Sequence, residues 1–484
     1  MGIFEFNPFI MYIALQHDLD HIQTLLSLTS EKALHYLSSL GETQTSNTTP
    51  VKIETSSLET EGKGLENTLE SFYRTHGAHI VASSGPKYWG FVTGGTTPAA
   101  IAADWLSTVF DQNPQGLSGN GDLSARIEIE TIGWMKELFG LPDAFNGGFV
   151  SGATMANFTC LAVGRQWGGL QKGNDIARTG LQTTIKVLSA MPHSSTLKSL
   201  SMLGIGSSNI IPVKTLPGNR EAMDIEDLKA CIQEYQEFPL LVVSSAGTVN
   251  TADFDDMEAI AALQKDFPFF WHIDAAFGGF AACSEKSKYL LKGWEQADSI
   301  TVDCHKWMNV PYDSAIYLIH KKHSKLQMAT FQNSNAPYLG DPESNFSYLN
   351  FGPENSRRLR ALPAWFTLKA YGKKGYESIV ENNLEHARLF AHLLEQTSPF
   401  VLAASVRLNI VCFTVKDQAE PKAFLDQVWL KLNQSGKLFL SPTVYNGQPC
   451  LRAAFVNWRT TEQDVTEGIE ELKKTLQQTS EFPE

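Results

Sequence analysis

Short apolar runs alternate with longer amphipathic stretches through the middle of this chain. "GGFVSG", "TTIKVLSA", "SNIIPV", "PLLVVSSAG", "FFWHIDAA", "SITVD" and "SAIYLIH" read as strands. "PAAIAADWLSTVFDQ" and "ARIEIETIGWMKELFG" carry helical spacing. Apolar runs of this kind with helices between them predict an α/β fold whose mainly parallel sheet is covered on both faces. Earlier, Ile13, Leu15, Leu19, Ile22, Leu25, Leu26 and Leu28 recur at helical spacing, and the polar, Ser/Thr-rich stretch 41–62 reads as a linker. After about 360 the pattern changes. One long helix, interrupted near Gly372–Gly375, precedes strand-like "RLNIVCFTV" and "PCLRAAFVNW" and a closing helix, which predicts a smaller α+β domain. The predicted boundaries are an N-terminal helical arm and linker at 1–85, a large α/β domain at 86–330, a loop at 331–360 and a small domain at 361–484.

Open α/β sheets bind ligands beyond the carboxyl ends of their strands. That rule directs attention to Ser151–Thr154, His193, Gly247–Asn250, Asp274–Ala276 and Asp303–Lys306. The net charge of −13 argues against a nucleic-acid or acidic-membrane surface and leaves a small ligand as the expected partner. Six scattered cysteines without a CxxC pair suggest reduced intracellular thiols, with no zinc site. With no basic leader and no apolar stretch near 18 residues, the expected location is the cytoplasm.

Three of the strand ends carry complementary chemistry. In "VSGATMANF" small residues open a helix, where backbone N–H groups and the helix dipole favour a phosphate, although an ordinary strand–turn–helix joint looks the same. Asp274, ending "FFWHID", is placed to hold a cationic ring nitrogen or to cap the following turn. A pair of that kind at ~4 Å and an effective dielectric of about 20 is worth ~4 kcal/mol, or about three pKa units. Lys306 in "DCHKW" is a nucleophile for an aldehyde if burial removes its charge, or a snorkelling lysine if not. A phosphate cradle, a carboxylate and an amine nucleophile are together what pyridoxal 5'-phosphate requires.

The chain also resembles the group II pyridoxal-phosphate-dependent amino-acid decarboxylases, which include aromatic-amino-acid and glutamate decarboxylases and share the fold type I architecture of aspartate aminotransferase. The resemblance runs from about Gly85 to Asn457, through "GPKYWGFVTGG", "SGATMANF", "HIDAAFGG", "DCHKWMNVPYDSA", "NSRRLRALPAWF" and "LRAAFVNWRTTEQDV". It implies that Lys306 forms the aldimine, that Asp274 partners the pyridine nitrogen, and that Ala276 and His193 pack on the two ring faces. Ala153, Thr154 and His305 would hold the phosphate. Val249 stands where many members have threonine, so Thr248 becomes the expected hydroxyl contact, and Asp303 is an unexpected negative charge near the phosphate.

The stretch 331–358, rich in Gly, Pro and Asn, reads as a mobile catalytic loop. By the same resemblance its Tyr338 would protonate Cα, with Tyr348 as the second candidate, and would reach into the partner's site of a homodimer. The expected reaction is decarboxylation of an L-amino acid to its amine. An aminotransferase, a carbon–carbon lyase and a catalytically silent scaffold are the alternatives. Tyr88, Trp89, Phe91 and Trp105 would suit an aromatic substrate at the entrance, or belong to the core.

Overall fold

The computed structural model describes residues 11–49, 57–116, 123–332 and 346–480. Among them, seven strands form one sheet: β1 (Phe145–Val150), β2 (Lys186–Ser189), β3 (Ile210–Pro212), β4 (Leu240–Ser245), β5 (Phe270–Asp274), β6 (Ser299–Val302) and β7 (Ala315–His320). Their order is β1-β7-β6-β5-β4-β2-β3. The neighbouring pairs from β6 through β3 are parallel, and β7 runs antiparallel to both β1 and β6. All seven runs read as strands from the sequence are in this sheet. The reversal of β7 is not in the pattern, because a fully apolar run has the same composition in either direction.

Alternation along the strands explains the two layers. Leu241, Val243 and Phe270 face the cluster built with the helix Ala153–Leu170. Their neighbours Val242, Trp271 and Ile273 face the opposite cluster. Both faces are apolar, so the central strands β4, β5 and β6 are buried throughout.

A second, antiparallel sheet consists of β8 (Phe400–Leu402), β9 (Ile410–Val415), β10 (Ser441–Tyr445) and β11 (Gln448–Ala454), in the order β10-β11-β9-β8. Its core gathers Phe390, Phe413, Val428, Phe455 and Leu472 together with Trp89, which is therefore a core residue and not an entrance one. The long helix Ala361–Glu395 breaks its regular geometry at Gly372, whose φ of +58° belongs to glycine. The sequence reading omitted the helix Pro421–Ser435, although it opens on a proline and is followed by Gly436 in the left-handed conformation. No described helix is long and apolar enough to cross a membrane.

The expected N-terminal helices are present at Ile13–Asp20 and Ile22–Ser38. Most of their apolar side chains lie outward: Ile13, Leu15, Leu19, Ile22 and Leu26 are exposed, and Leu25 is buried.

A buried ion pair anchors the end of β1. Arg357 donates through both terminal nitrogens to Glu128, at 2.8 and 2.9 Å, and also to the carbonyls of Phe149 and Pro114. The Phe149 N–H returns a bond to the same carboxylate. Burial opposes the guanidinium charge, but Glu128 outweighs it and raises the Arg357 pKa above its ordinary value. Tyr348 stacks against this guanidinium at 4.4 Å and donates to the Gly147 carbonyl.

Removing one member of a buried pair strands the other. Arg357→Met is expected to lower unfolding stability by ~3–5 kcal/mol in urea titrations. The double variant Glu128→Gln, Arg357→Met keeps an acceptor for Phe149 and is expected to recover more than half of that loss. A single variant as stable as the parent would remove this pair from the account.

Candidate active site

A cavity of about 410 Å³ opens beyond the carboxyl ends of the central strands. Its lining brings together His193, Thr248, Asp274, Ala276 and Lys306, five of the residues singled out in the sequence. Phe91, Met191, Val249, Phe277 and Tyr312 supply apolar wall, and Glu221 and Arg452 add charge.

Asp274 ends β5 and is held from two sides. The Ala276 N–H donates to Oδ1 at 3.2 Å and the Asn157 amide to Oδ2 at 2.9 Å. Asn157 sits on the helix Ala153–Leu170, and its Nδ2 donates to Ser195 Oγ as well. Its Oδ1 faces His272 Nε2 at 2.9 Å, so that nitrogen carries the proton, and His272 Nδ1 meets the Ser299 hydroxyl. A flipped amide would set an oxygen against the Asp274 carboxyl, which fixes this assignment.

The same network orients His193. Its Nδ1 accepts from the Ser195 N–H at 3.2 Å and pairs with the Ser195 hydroxyl at 2.7 Å. Nε2 is therefore the protonated nitrogen of the neutral ring. Burial lowers the His193 pKa, with Asp274 opposing and Lys306 and Arg452 reinforcing the shift.

Lys306 lies 3.2 Å from Asp303 through Nζ, and His305 Nε2 lies 3.1 Å from the other oxygen of that carboxylate. Burial alone would raise the Asp303 pKa, but Lys306 and His305 outweigh it and hold it below the ordinary value. Gly94 packs against this turn so closely that a Cβ there would lie 1.8 Å from the Lys306 carbonyl oxygen. His305 Nδ1 accepts from the Ser314 N–H, and its ring centre lies 4.2 Å from that of Tyr312, the two planes tilted by 31°.

Ala153 and Thr154 open the helix Ala153–Leu170, next to the Lys306 turn but outside the cavity lining. A Cβ on Gly152 would lie 3.3 Å from His305 Cε1, so the small residue keeps space open between the helix start and His305. An amine at Lys306, a carboxyl at Asp274 and this small-residue gap at a helix N-terminus fit the aldehyde, ring nitrogen and phosphate of pyridoxal phosphate.

Thr248 is engaged with Glu221 through its hydroxyl, and the Val249 carbonyl accepts from Arg452 at 2.7 Å. Tyr348 does not line the cavity; it is 2% exposed, and burial pushes its phenol pKa well above the ordinary value. Tyr338 lies outside the described residues. Sequence reasoning missed Asn157, Glu221, Arg452 and Tyr312. For Arg452 a signal existed, a charge inside the apolar strand "CLRAAFV". For Glu221, within polar "GNREAMD", there was none.

Comparison with known proteins gives a consistent picture. A profile described as "Pyridoxal-dependent decarboxylase conserved domain" matches residues 53–416. An aromatic-L-amino-acid decarboxylase of Bacillus atrophaeus is 29% identical over 439 residues, 88% of each chain. A phenylacetaldehyde synthase of Petunia hybrida is 25% identical over 392 residues, 76% of each. Among solved structures, Oryza sativa TDC with PLP and tryptamine superposes with a TM-score of 0.86 at 20% identity, covering 95% of this chain and 98% of that one. Mouse CSAD in its apo form gives a TM-score of 0.85 at 20% identity, covering 95% and 99%.

The neutral His272 beneath the site has a pH signature. Burial lowers its pKa from 6.5 to about 4. Between those values the unfolded chain binds the extra proton, so stability falls as pH drops through that window, by on the order of 3 kcal/mol. Asp255, raised by burial to about 6, works in the opposite sense over nearly the same range, so the total curve is shallow. The difference between the parent and His272→Gln isolates the histidine. Measured by urea unfolding, the parent's advantage at pH 7 is expected to shrink by ~3 kcal/mol at pH 4, and a pH-independent gap would contradict the assignment.

Proposed function

The chain belongs to the pyridoxal-dependent decarboxylase family, and from that premise we propose that it converts an aromatic L-amino acid to its amine and carbon dioxide, with Lys306 as the residue that bonds the cofactor. The observation that carries this reading is the convergence of His193, Asp274, Ala276 and Lys306 on one cavity with a largely apolar wall. The similarity to an aromatic-L-amino-acid decarboxylase supports the substrate class.

Bound pyridoxal phosphate supplies an aldehyde that takes up the substrate's amino group and a ring that accepts the electron pair left when a bond to Cα breaks. Asp274, steadied by Asn157 and the Ala276 N–H, faces the ring nitrogen in this reading. Ala276 and His193, both in the cavity lining, would pack against the two faces of the ring. With the cofactor and a substrate amine bound, Asp303 would remain the carboxylate partner of the Lys306 side chain, 3.2 Å from it in this structure. The bond that breaks is chosen by positioning, and the Nε2–H of His193 is a donor able to orient the substrate's carboxylate.

After carbon dioxide leaves, Cα takes a proton from an acid. Tyr338 is the proposed acid on the strength of the family resemblance, and Tyr348, the second candidate, is committed to the core. In this reading the segment carrying Tyr338 reaches the partner's site in a homodimer, whereas the 346–358 end of the predicted mobile loop is held in place by the buried Tyr348, Phe351 and Arg357. The exposed apolar faces of the N-terminal helices support a wrapping arm. Six free cysteines suit a reducing compartment, which supports a cytoplasmic location as part of this proposal.

The direct test is amine and carbon dioxide release from L-phenylalanine, L-tyrosine, L-tryptophan and L-glutamate. Aromatic substrates are expected to turn over, and Lys306→Ala to abolish turnover. Tyr338→Phe is expected to lower amine formation by roughly 10²- to 10⁴-fold, the range of a lost general acid. Turnover of glutamate alone would overturn the substrate class, and full amine formation by Tyr338→Phe would remove the tyrosine.

A further inference from the structure

We infer that Glu221 sets the side-chain preference of this cavity, favouring aromatic amino acids whose ring carries a hydrogen-bond donor; this rests on the decarboxylation reading above. Glu221 follows β3 in the chain, is 2% exposed, and still forms part of the cavity wall. Its Oε2 accepts from the hydroxyls of Thr248 and Thr251. Its Oε1 has one long contact, 3.5 Å from Asn250 Nδ2. A carboxylate offers about four lone-pair sites, so Oε1 keeps acceptor capacity. Among the described residues, no cation comes within ion-pair distance of Glu221.

Arg452 does not offset this role. Its two terminal nitrogens donate to the carbonyls of Val249 and Phe91, at 2.7 and 3.1 Å. The guanidinium therefore ties two loops of the wall together through its terminal nitrogens, and its Nε is buried without a hydrogen-bond partner. The surrounding wall of Phe91, Val92, Met191, Pro192, Phe277 and Tyr312 offers mostly apolar and aromatic surface.

One open acceptor in such a pocket discriminates by what it leaves unpaired. A phenol O–H or an indole N–H satisfies Oε1. An unsubstituted ring leaves Oε1 with only its long contact to Asn250, and an acidic side chain sets a second carboxyl group against Glu221.

The test is the ratio of kcat/KM for L-tyrosine over L-phenylalanine in the holoenzyme, the parent beside Glu221→Gln and Glu221→Leu. A lost hydrogen bond to a charged group corresponds to a parent ratio of roughly 10 to 100. Glu221→Leu is expected to bring the ratio within about threefold of one. Glu221→Gln, which preserves shape and one acceptor oxygen, is expected to give an intermediate value. A purely structural role for Glu221 would lower both substrates together and leave the ratio unchanged, which overturns the inference, as does a parent ratio near one. Absence of carbon dioxide release from every amino acid would instead overturn the decarboxylation reading, and this inference with it.

Discussion

The amide of Asn157 meets three polar side chains at once, and much of the site's geometry follows from that junction. It donates to Asp274 and to Ser195 and accepts from His272. Through Ser195 it also reaches His193, so residues from β5, from the start of the helix after β2 and from the helix Ala153–Leu170 are fixed relative to one another. A buried network of this kind stabilises only when its members are satisfied, and a partly satisfied one costs more than apolar packing. The apolar layers on both faces of the sheet exclude water from the junction, and the exclusion makes each of its bonds specific.

Charge placement follows the same economy. A lysine at the end of β6 is tolerable when a carboxylate is near, and Asp303, three residues earlier in the same turn, supplies it. Asp303 stood out in the sequence as awkward because a phosphate is expected close by. In the structure its charge is directed at Lys306 and His305, which resolves the conflict locally. Gly94 allows another loop to close over this turn, so the lysine's main chain is packed on that side while its side chain lines the cavity.

The fold was legible wherever burial was complete. The strand runs of the large sheet are apolar on both faces, and apolar runs of that length between helices have few other uses. The small sheet was half legible. β8 is three residues long, and β10 places Pro442 and Val444 outward at a sheet edge, so neither carries a strong pattern. Asp274, His193 and Lys306 could be picked out because they end strands or follow them closely. Asn157 and Glu221 could not, because their significance arises only when separate segments converge, and the charge of Arg452 inside an apolar strand was a signal that gained its meaning only from the same convergence. Trp89, for which the sequence left entrance and core open, is claimed by the second core.

The central claim is that Lys306 carries the cofactor, and the most direct measurement is chemical. The holoenzyme would be reduced with borohydride, digested and mapped by mass spectrometry. The account predicts that the cofactor is fixed on the peptide containing Lys306 and that Lys306→Ala fixes none. Recovery of the cofactor on another lysine, or no covalent fixation in a protein that still turns over substrate, would contradict it.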